Sequence, residues 1–315
     1  MEASCGFRAV TTGAAQAQSS VTLFGVVDTL VYRKELAGEK AVTRVDSGGL
    51  TTSHWGMRGT EDLGGGLRAM FELSSFVRVD AGAAGRSDTD GYFSRASWVG
   101  LQGDWGTVRL GRQAALGFVN LMRYSAFNDS STFGPSLLHT YLPSAGQPMM
   151  TGSGASDSGW SNVLSYTSPS VGGFVAALAA APSEGTTAGR RVAGSLVYTG
   201  GSFSTGLVID RLRGMSLNFS KAPATVLMTE ADTVNWGVSY DFNVVKVFGQ
   251  IIRTELDNPT TSIKLRTANV GVTVPLGAGR LLASYAVTNK EQTALSDQKR
   301  RTFSFGYAME LSASQ

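Results

Sequence analysis

Cysteine, histidine and proline are all scarce in this 315-residue chain: one Cys (Cys5), two His (His54 and His139) and eight Pro. A single cysteine excludes an internal disulfide and a cysteine-built metal site. Nucleophilic catalysis by serine needs a positioned base. Only the two imidazoles could serve, and no Gly-x-Ser-x-Gly elbow, His-Glu-x-x-His pair or Walker loop accompanies them. No enzyme, metal set or cofactor is read from the sequence. Charge is thin as well, at 16% of residues against the usual ~25%, which argues against a solvated disordered chain or a charge-rich helical bundle. The 27 basic and 24 acidic residues leave a net charge of only +3, and no RNA- or DNA-binding spacing is present, so nucleic acid is not an expected partner. Long apolar runs are missing too. The longest spans Phe174 to Ala181, far short of the ~20 residues of a membrane helix.

What remains is glycine, 39 residues of it, and alternation with a period of two. In Thr233 to Phe242, Val234, Trp236, Val238, Tyr240 and Phe242 share one face, while Thr233, Asn235, Gly237, Ser239 and Asp241 share the other. Successive strand side chains point to opposite faces, so the segment is an amphipathic strand. The pattern recurs at Thr267 to Val274, at Thr302 to Met309 and at Ser53 to Arg58. Fourteen such segments can be marked, the first centred near residue 26 and the last near 306.

The connections alternate in length. Tight glycine-rich turns at 61–66, 103–106, 168–173, 200–201, near Asn243 and at 275–279 are interleaved with longer polar segments near 33–50, 80–91, 113–160, 182–190, 212–231, 255–262 and 289–300. A soluble sandwich has no reason to put every short turn at one end. A transmembrane barrel does, with short inner turns and long external loops. The fold class read here is all-β, a transmembrane antiparallel β-barrel. Trp55, Trp98, Trp236, Tyr240, Tyr285 and Tyr307 sit on the apolar parity of their strands. They are expected to face lipid, in the girdles where aromatic residues collect.

At the N-terminus, Ala15-Gln-Ala17 reads as a small-x-small cleavage site, yet residues 1–13 lack an apolar core segment. Residues 1–17 are accordingly read as a remnant leader, and 18–315 as the barrel.

Four stretches resemble the general porins of Gram-negative bacteria, β-proteobacterial type. They are Ser19 to Asp28, Trp55-Gly-Met-Arg-Gly-Thr-Glu-Asp-Leu-Gly-Gly-Gly-Leu67, Gly106-Thr-Val-Arg-Leu-Gly-Arg-Gln113 and Tyr166 to Phe174, with Tyr240-Asp-Phe242 a weaker fifth. The resemblance implies a homotrimer of sixteen-stranded barrels in outer-membrane lipid that passes small hydrophilic solutes and ions, with one external loop folded inward as a constriction. Family members end on a strand with a terminal aromatic residue. This chain ends Ala313-Ser-Gln315 after its fourteenth segment, so a truncated product is the alternative reading, with a receptor or adhesin barrel beside it.

Selectivity in such a pore comes from charge lining an aqueous neck. Parity directs His54, Arg58, Arg68, Glu72, Arg95 and Arg109 to the lumen; Arg112 follows at the strand end, where it is expected to face the inward loop. The family sets wall arginines against acids on that loop, and Arg95 matches one of them, whereas His54 and Gly159 stand where arginine is usual. The 113–160 segment has apolar anchors such as Phe127, Leu137 and Tyr141 but only two acids, Asp129 and Asp157. An inward fold with a mild anion preference is the expectation.

Overall fold

The computed structural model describes residues 20–35, 40–141, 158–184, 189–219, 226–292 and 297–309. The leader reading at 1–17 and the loop acid Asp157 lie outside these residues. Among the described residues seventeen strands form: β1 Ser20–Val26, β2 Thr29–Lys34, β3 Val42–Ser47, β4 His54–Gly64, β5 Leu67–Arg78, β6 Ala83–Ala84, β7 Ala96–Gly103, β8 Gly106–Ala114, β9 Gly159–Thr167, β10 Phe174–Ala181, β11 Arg190–Gly200, β12 Phe203–Phe219, β13 Val226–Asp241, β14 Lys246–Asp257, β15 Ser262–Leu276, β16 Gly279–Gln292 and β17 Gln298–Met309. Two short helices, α1 Leu116–Arg123 and α2 Pro135–Tyr141, lie between β8 and β9.

One antiparallel sheet runs β1-β4-β5-β7 and then in order from β8 to β17, a path of fourteen strands, with β6 added on β5. Each of the fourteen alternating segments is one of these strands. β1 and β17 are the ends of the path, and among the described residues no pairing joins them. The segment 33–50, read as loop, instead contributes to a separate hairpin of β2 and β3. Its polar residues alternate too weakly to signal a strand, because the hairpin has no apolar face to bury. The 212–231 segment, also read as loop, is largely strand, since β12 and β13 continue past a bulge between Arg213 and Leu217.

Register separates the two faces. One cross-strand row reads Leu207, Trp236, Ile251, Ala268 and Val287, and the adjacent row reads Val208, Asn235, Ile252, Thr267 and Thr288. Trp236 is 41% exposed and Asn235 only 3%. The sheet is therefore inside-out: Leu23, Val99, Leu178, Val270 and Phe303 stand exposed on the outer face. An apolar surface of this extent suits hydrocarbon, not water.

The core lies inside the curve of the sheet, built around the β8–β9 connection. Ala115, Leu116 and Phe118 pack on Trp160, Val163, Ala179, Ala181 and Ala193. Leu121 and Leu137 pack on Ile252, and Ala126 and Phe127 on Phe248 and Leu282.

Candidate functional site

The inner face of the sheet has two unlike walls. On β4, β5, β7 and β8 it is ionic. Arg58 lies opposite Glu72 in register. Just ahead of β7, Arg95 donates from Nη1 to Glu72 Oε1 at 2.8 Å and to Ser74 Oγ at 3.3 Å. Ser74 Oγ also donates to Glu72 Oε1, at 2.8 Å. The Arg109 guanidinium stacks 4.5 Å above the Trp98 ring. Phe24 collects three neighbours: the guanidinium carbons of Arg58 and Arg95, 5.3 and 5.9 Å from its centroid, and the edge of His54 at 6.2 Å. Such stacking holds a guanidinium flat on a ring while its N–H edge stays available to solutes.

From β12 to β17 the inner face is mainly amides and hydroxyls, bonded to the inward connection, with Asp210, Lys290 and Arg300 as charged residues of the same parity. Asn120 Nδ2 donates to Asn235 Oδ1 at 3.1 Å, and Asn235 Nδ2 donates to Gly117 O at 3.0 Å. Gln250 Nε2 donates to Leu121 O at 2.8 Å. The Tyr124 hydroxyl lies 3.0 Å from Ser204 Oγ. Beneath its ring, Gly206 and Gly237 leave the space a side chain would fill: a Cβ at Gly237 would collide with Cδ2 of Tyr124. On α2, the ring nitrogens of His139 meet Thr288 Oγ1 at 2.8 Å and Thr302 Oγ1 at 2.7 Å, and Arg300 Nη1 donates to Leu138 O at 2.8 Å.

A second set of bonds fixes the tip of the connection. The Asp28 carboxylate accepts the N–H groups of Gly49, Leu50 and Thr51 at 2.7–2.9 Å. The segment so held bonds back: Thr51 Oγ1 donates to Asp129 Oδ2 at 2.7 Å, and Ser130 Oγ donates to Gly49 O at 2.6 Å.

A cavity of about 770 Å³ remains between the connection, the ionic wall and β9–β11. Five arginines (Arg78, Arg86, Arg95, Arg109 and Arg123) and three carboxylates (Asp46, Glu72 and Asp129) line it, a surplus of two positive charges. Of the residues expected from sequence to line the pore, Glu72, Arg95, Arg109 and Asp129 line this cavity. His54 and Arg58 adjoin it through Phe24.

Arg68 shares the inward parity of Glu72 but lies exposed at the β4–β5 turn, opposite Asp62, away from the others. Arg112 does not reach the inward connection's helices. Gly111, at φ +125°, opens a bulge against β9. Simple alternation keeps Arg112 on the face of the exposed Leu110, its guanidinium donating to Ser94 O and Ser161 Oγ.

Trp98 likewise corrects the sequence reading. Val99 and Leu101, 62% and 44% exposed, take the outward positions of β7, so Trp98 turns inward and is 9% exposed. The other five aromatics, Trp55, Trp236, Tyr240, Tyr285 and Tyr307, stand on the outer face, 37–48% exposed. Trp236 Nε1 donates to Thr205 Oγ1 at 3.1 Å and the Tyr307 hydroxyl to Leu276 O at 2.9 Å, so their polar tips are satisfied while the rings face out.

Sequence reading did not select Arg78, Arg86 or Arg123. Arg78 alone carries a local signal, inward parity at the end of β5, whereas Arg86 and Arg123 come from segments with no period.

An inside-out antiparallel sheet curved around a charged cavity that an inward connection narrows defines an outer-membrane channel protein. Residues 5–314 match the family model described as Gram-negative porin. The chain is 34% identical to outer membrane porin protein 32 of Delftia acidovorans over 96% of this chain and 82% of that one. It is 26% identical to an outer membrane porin protein of Bordetella pertussis over 95% of this chain and 87% of that one. Among solved structures, an anion-selective porin from Comamonas acidovorans superposes with a TM-score of 0.79 at 31% identity, over 94% of this chain and 85% of that one. The chain belongs to the Gram-negative porin family, and its place is the outer membrane. Family and fold are those of a channel rather than an enzyme.

Proposed function

We propose that the chain is a diffusion channel for small hydrophilic solutes and ions with a mild preference for anions, its neck lying between the inward connection and the wall of Arg58, Arg95 and Arg109. The cavity carries this reading: five arginines against three carboxylates in a space bounded by protein. Fixed charge in a narrow aqueous neck biases which ions enter. The Comamonas relative, titled an anion-selective porin, lends support from a second direction. His54 and Asp129 belong to this neck as its polar neighbours, and Arg68 and Arg112 act outside it. The channel works in outer-membrane lipid as a homotrimer, in keeping with the family resemblance, with Trp55, Trp236, Tyr240, Tyr285 and Tyr307 against the bilayer.

Reversal potentials across a planar bilayer under a salt gradient test the preference. The sign expected is that of anion permeation, and a cation-selective sign refutes it. Liposome swelling with graded sugars tests the diffusion mechanism. A smooth size cutoff is expected, whereas saturable uptake of one solute would mark a receptor instead.

A further inference from the structure

The two histidines of the chain are held in opposite ways. His139 is fully buried, and both of its ring nitrogens meet threonine hydroxyls. His54, half-buried at the head of β4, is bonded at one nitrogen, Nδ1 lying 2.8 Å from Thr52 O. A carbonyl oxygen only accepts, so Nδ1 carries the hydrogen and the neutral ring keeps its lone pair on Nε2. Among the described residues Nε2 has no hydrogen-bond partner, and it is not sealed from solvent. Since both nitrogens of an imidazolium donate, a proton added at Nε2 leaves the bond to Thr52 intact and breaks no other.

The surroundings of this ring belong to the ionic wall. Its edge meets Phe24, the same ring that carries the guanidiniums of Arg58 and Arg95. The neighbours from β1 are Phe24 and Val26, and the register partner on β5 is Phe76, none of them charged. The charged groups around it are Arg58 on β4 itself, Glu72 on β5, Arg95 ahead of β7 and Asp129 on the inward connection. Two cations face two carboxylates, so the local field neither bars an imidazolium nor cancels it. Thr52, Glu72, Arg95 and Asp129 all line the cavity, and a charge gained by His54 stands beside the path of ions.

We infer that His54 is a specificity-determining residue of the channel: a neutral imidazole near neutral pH, it becomes a third cation beside Arg58 and Arg95 in mild acid and strengthens the preference for anions. The inference rests on the neck proposed above. Guanidiniums keep their charge throughout, and unperturbed carboxylates stay ionised down to about pH 4, whereas an unperturbed imidazole titrates near ~6.5. His54 is therefore the member of this cluster whose ordinary range falls between pH 8 and pH 5. Fixed charge in the neck sets which ions enter, and this charge is added without moving any element of the fold.

The full chain, refolded and inserted in planar bilayers, is measured for its reversal potential under a potassium chloride gradient at pH 8, 6.5 and 5. The parent is compared with His54→Gln, His54→Arg and His139→Asn. The anion-to-cation permeability ratio of the parent is expected to rise about twofold or more from pH 8 to pH 5. His54→Gln is expected to lose that rise, His54→Arg to show a ratio independent of pH, and His139→Asn to keep the step. A flat parent overturns the inference, and so does a step of full size in His54→Gln. Should His54→Gln fail to refold, the same step persisting in His54→Arg overturns it equally. Cation preference at every pH refutes the proposed anion preference, yet a His54-dependent shift of the ratio stays readable there, so the two failures are distinguishable.

Discussion

The two inner walls differ in chemistry, and the difference supports the proposed position of the neck. Both are polar, yet the β12–β17 wall presents mainly amides and hydroxyls (Asn235, Gln250, Thr288 and Thr302) while the β4–β8 wall presents mainly ions (Arg58, Glu72, Arg95 and Arg109). A neutral amide can be covered by protein at little net cost once its bonds are met, as Gln250 is by Leu121 O. Covering an ion strips its water, and the penalty is several kcal/mol per charge unless pairing is excellent. The apolar, acid-poor connection therefore docks mainly on amides and hydroxyls, and Arg300, a cation that it covers in part, keeps a bond to Leu138 O. Water stays on the charged side, and a passage along charge is what remains.

The strongest way to break this contrast is to deny the connection its seat. Gly237→Val places carbon where the Tyr124 ring already lies, with Cγ and Cβ of the tyrosine at 2.6 and 2.9 Å from the added Cβ and Cδ2 closer still. Overpacking of this kind costs about 3 kcal/mol. The expected outcome is a lower thermal midpoint for the refolded barrel, together with larger and noisier single-channel conductance as α1 leaves the wall. An unchanged midpoint and unchanged conductance would show that the β12–β17 wall does not hold the connection.

Acid tests the same seat through α2. Burial, and secondarily the Arg300 guanidinium, pulls His139 down from 6.5 to about 4. The folded state thus resists a proton that the unfolded chain accepts. This contribution to stability is complete above pH 6.5 and is lost as pH falls from 6.5 toward 4. At 1.36 kcal/mol per unit its ceiling is about 3 kcal/mol, and relaxation around the charged ring lowers the expected loss to ~2 kcal/mol. Denaturant midpoints between pH 7 and pH 4 should fall for the parent and flatten at the His139 step in His139→Asn. Parallel pH curves for the two proteins would remove His139 as the acid-sensitive link.

The two walls are not equally legible in the sequence. Period-two alternation locates all fourteen strands of the main path, because each strand has one face in lipid and one facing inward, and that contrast is written into every residue pair. The parity that places Asn235 opposite Trp236 places Arg109 inward too. Counted on from Leu110 it also sends Arg112 outward, so the expectation that Arg112 meets the inward loop, which rests on its place at the strand end, is the part that fails. Trp98 misleads because an indole weighs as lipid-facing bulk, although the Val99–Leu101 alternation beside it points the other way. The docking of the connection is legible only in its anchors, Phe127, Leu137 and Tyr141, and not in the surfaces they meet. That Gly206 and Gly237 make room for Tyr124 depends on contacts across more than 80 positions of chain. Arg123 and Arg86 enter the cavity from segments without any period to read.

The smallest expected effect sharpens the ionic side and leaves the fold alone. Among the described residues Arg109 forms no ion pair within 4 Å, its guanidinium lying on Trp98, so Arg109→Gln should remove one charge from the cavity without orphaning a carboxylate. Arg95→Gln should go further, since it also frees Glu72 from its 2.8 Å partner and so changes the neck by a lost cation and an uncovered anion together. We expect the anion-to-cation permeability ratio to fall about threefold for Arg109→Gln, ~0.7 kcal/mol, and more for Arg95→Gln, with thermal midpoints close to the parent. Arg68→Gln and Arg112→Gln, both outside the cavity, should leave the ratio where it was. The differences should fade in molar salt, where the Debye length shrinks to ~3 Å and fixed charge is screened within the neck. If Arg68→Gln moved the ratio as much as Arg109→Gln, selectivity would follow the charge of the whole lumen, and the contrast between the two walls would lose its electrostatic half while keeping its structural one.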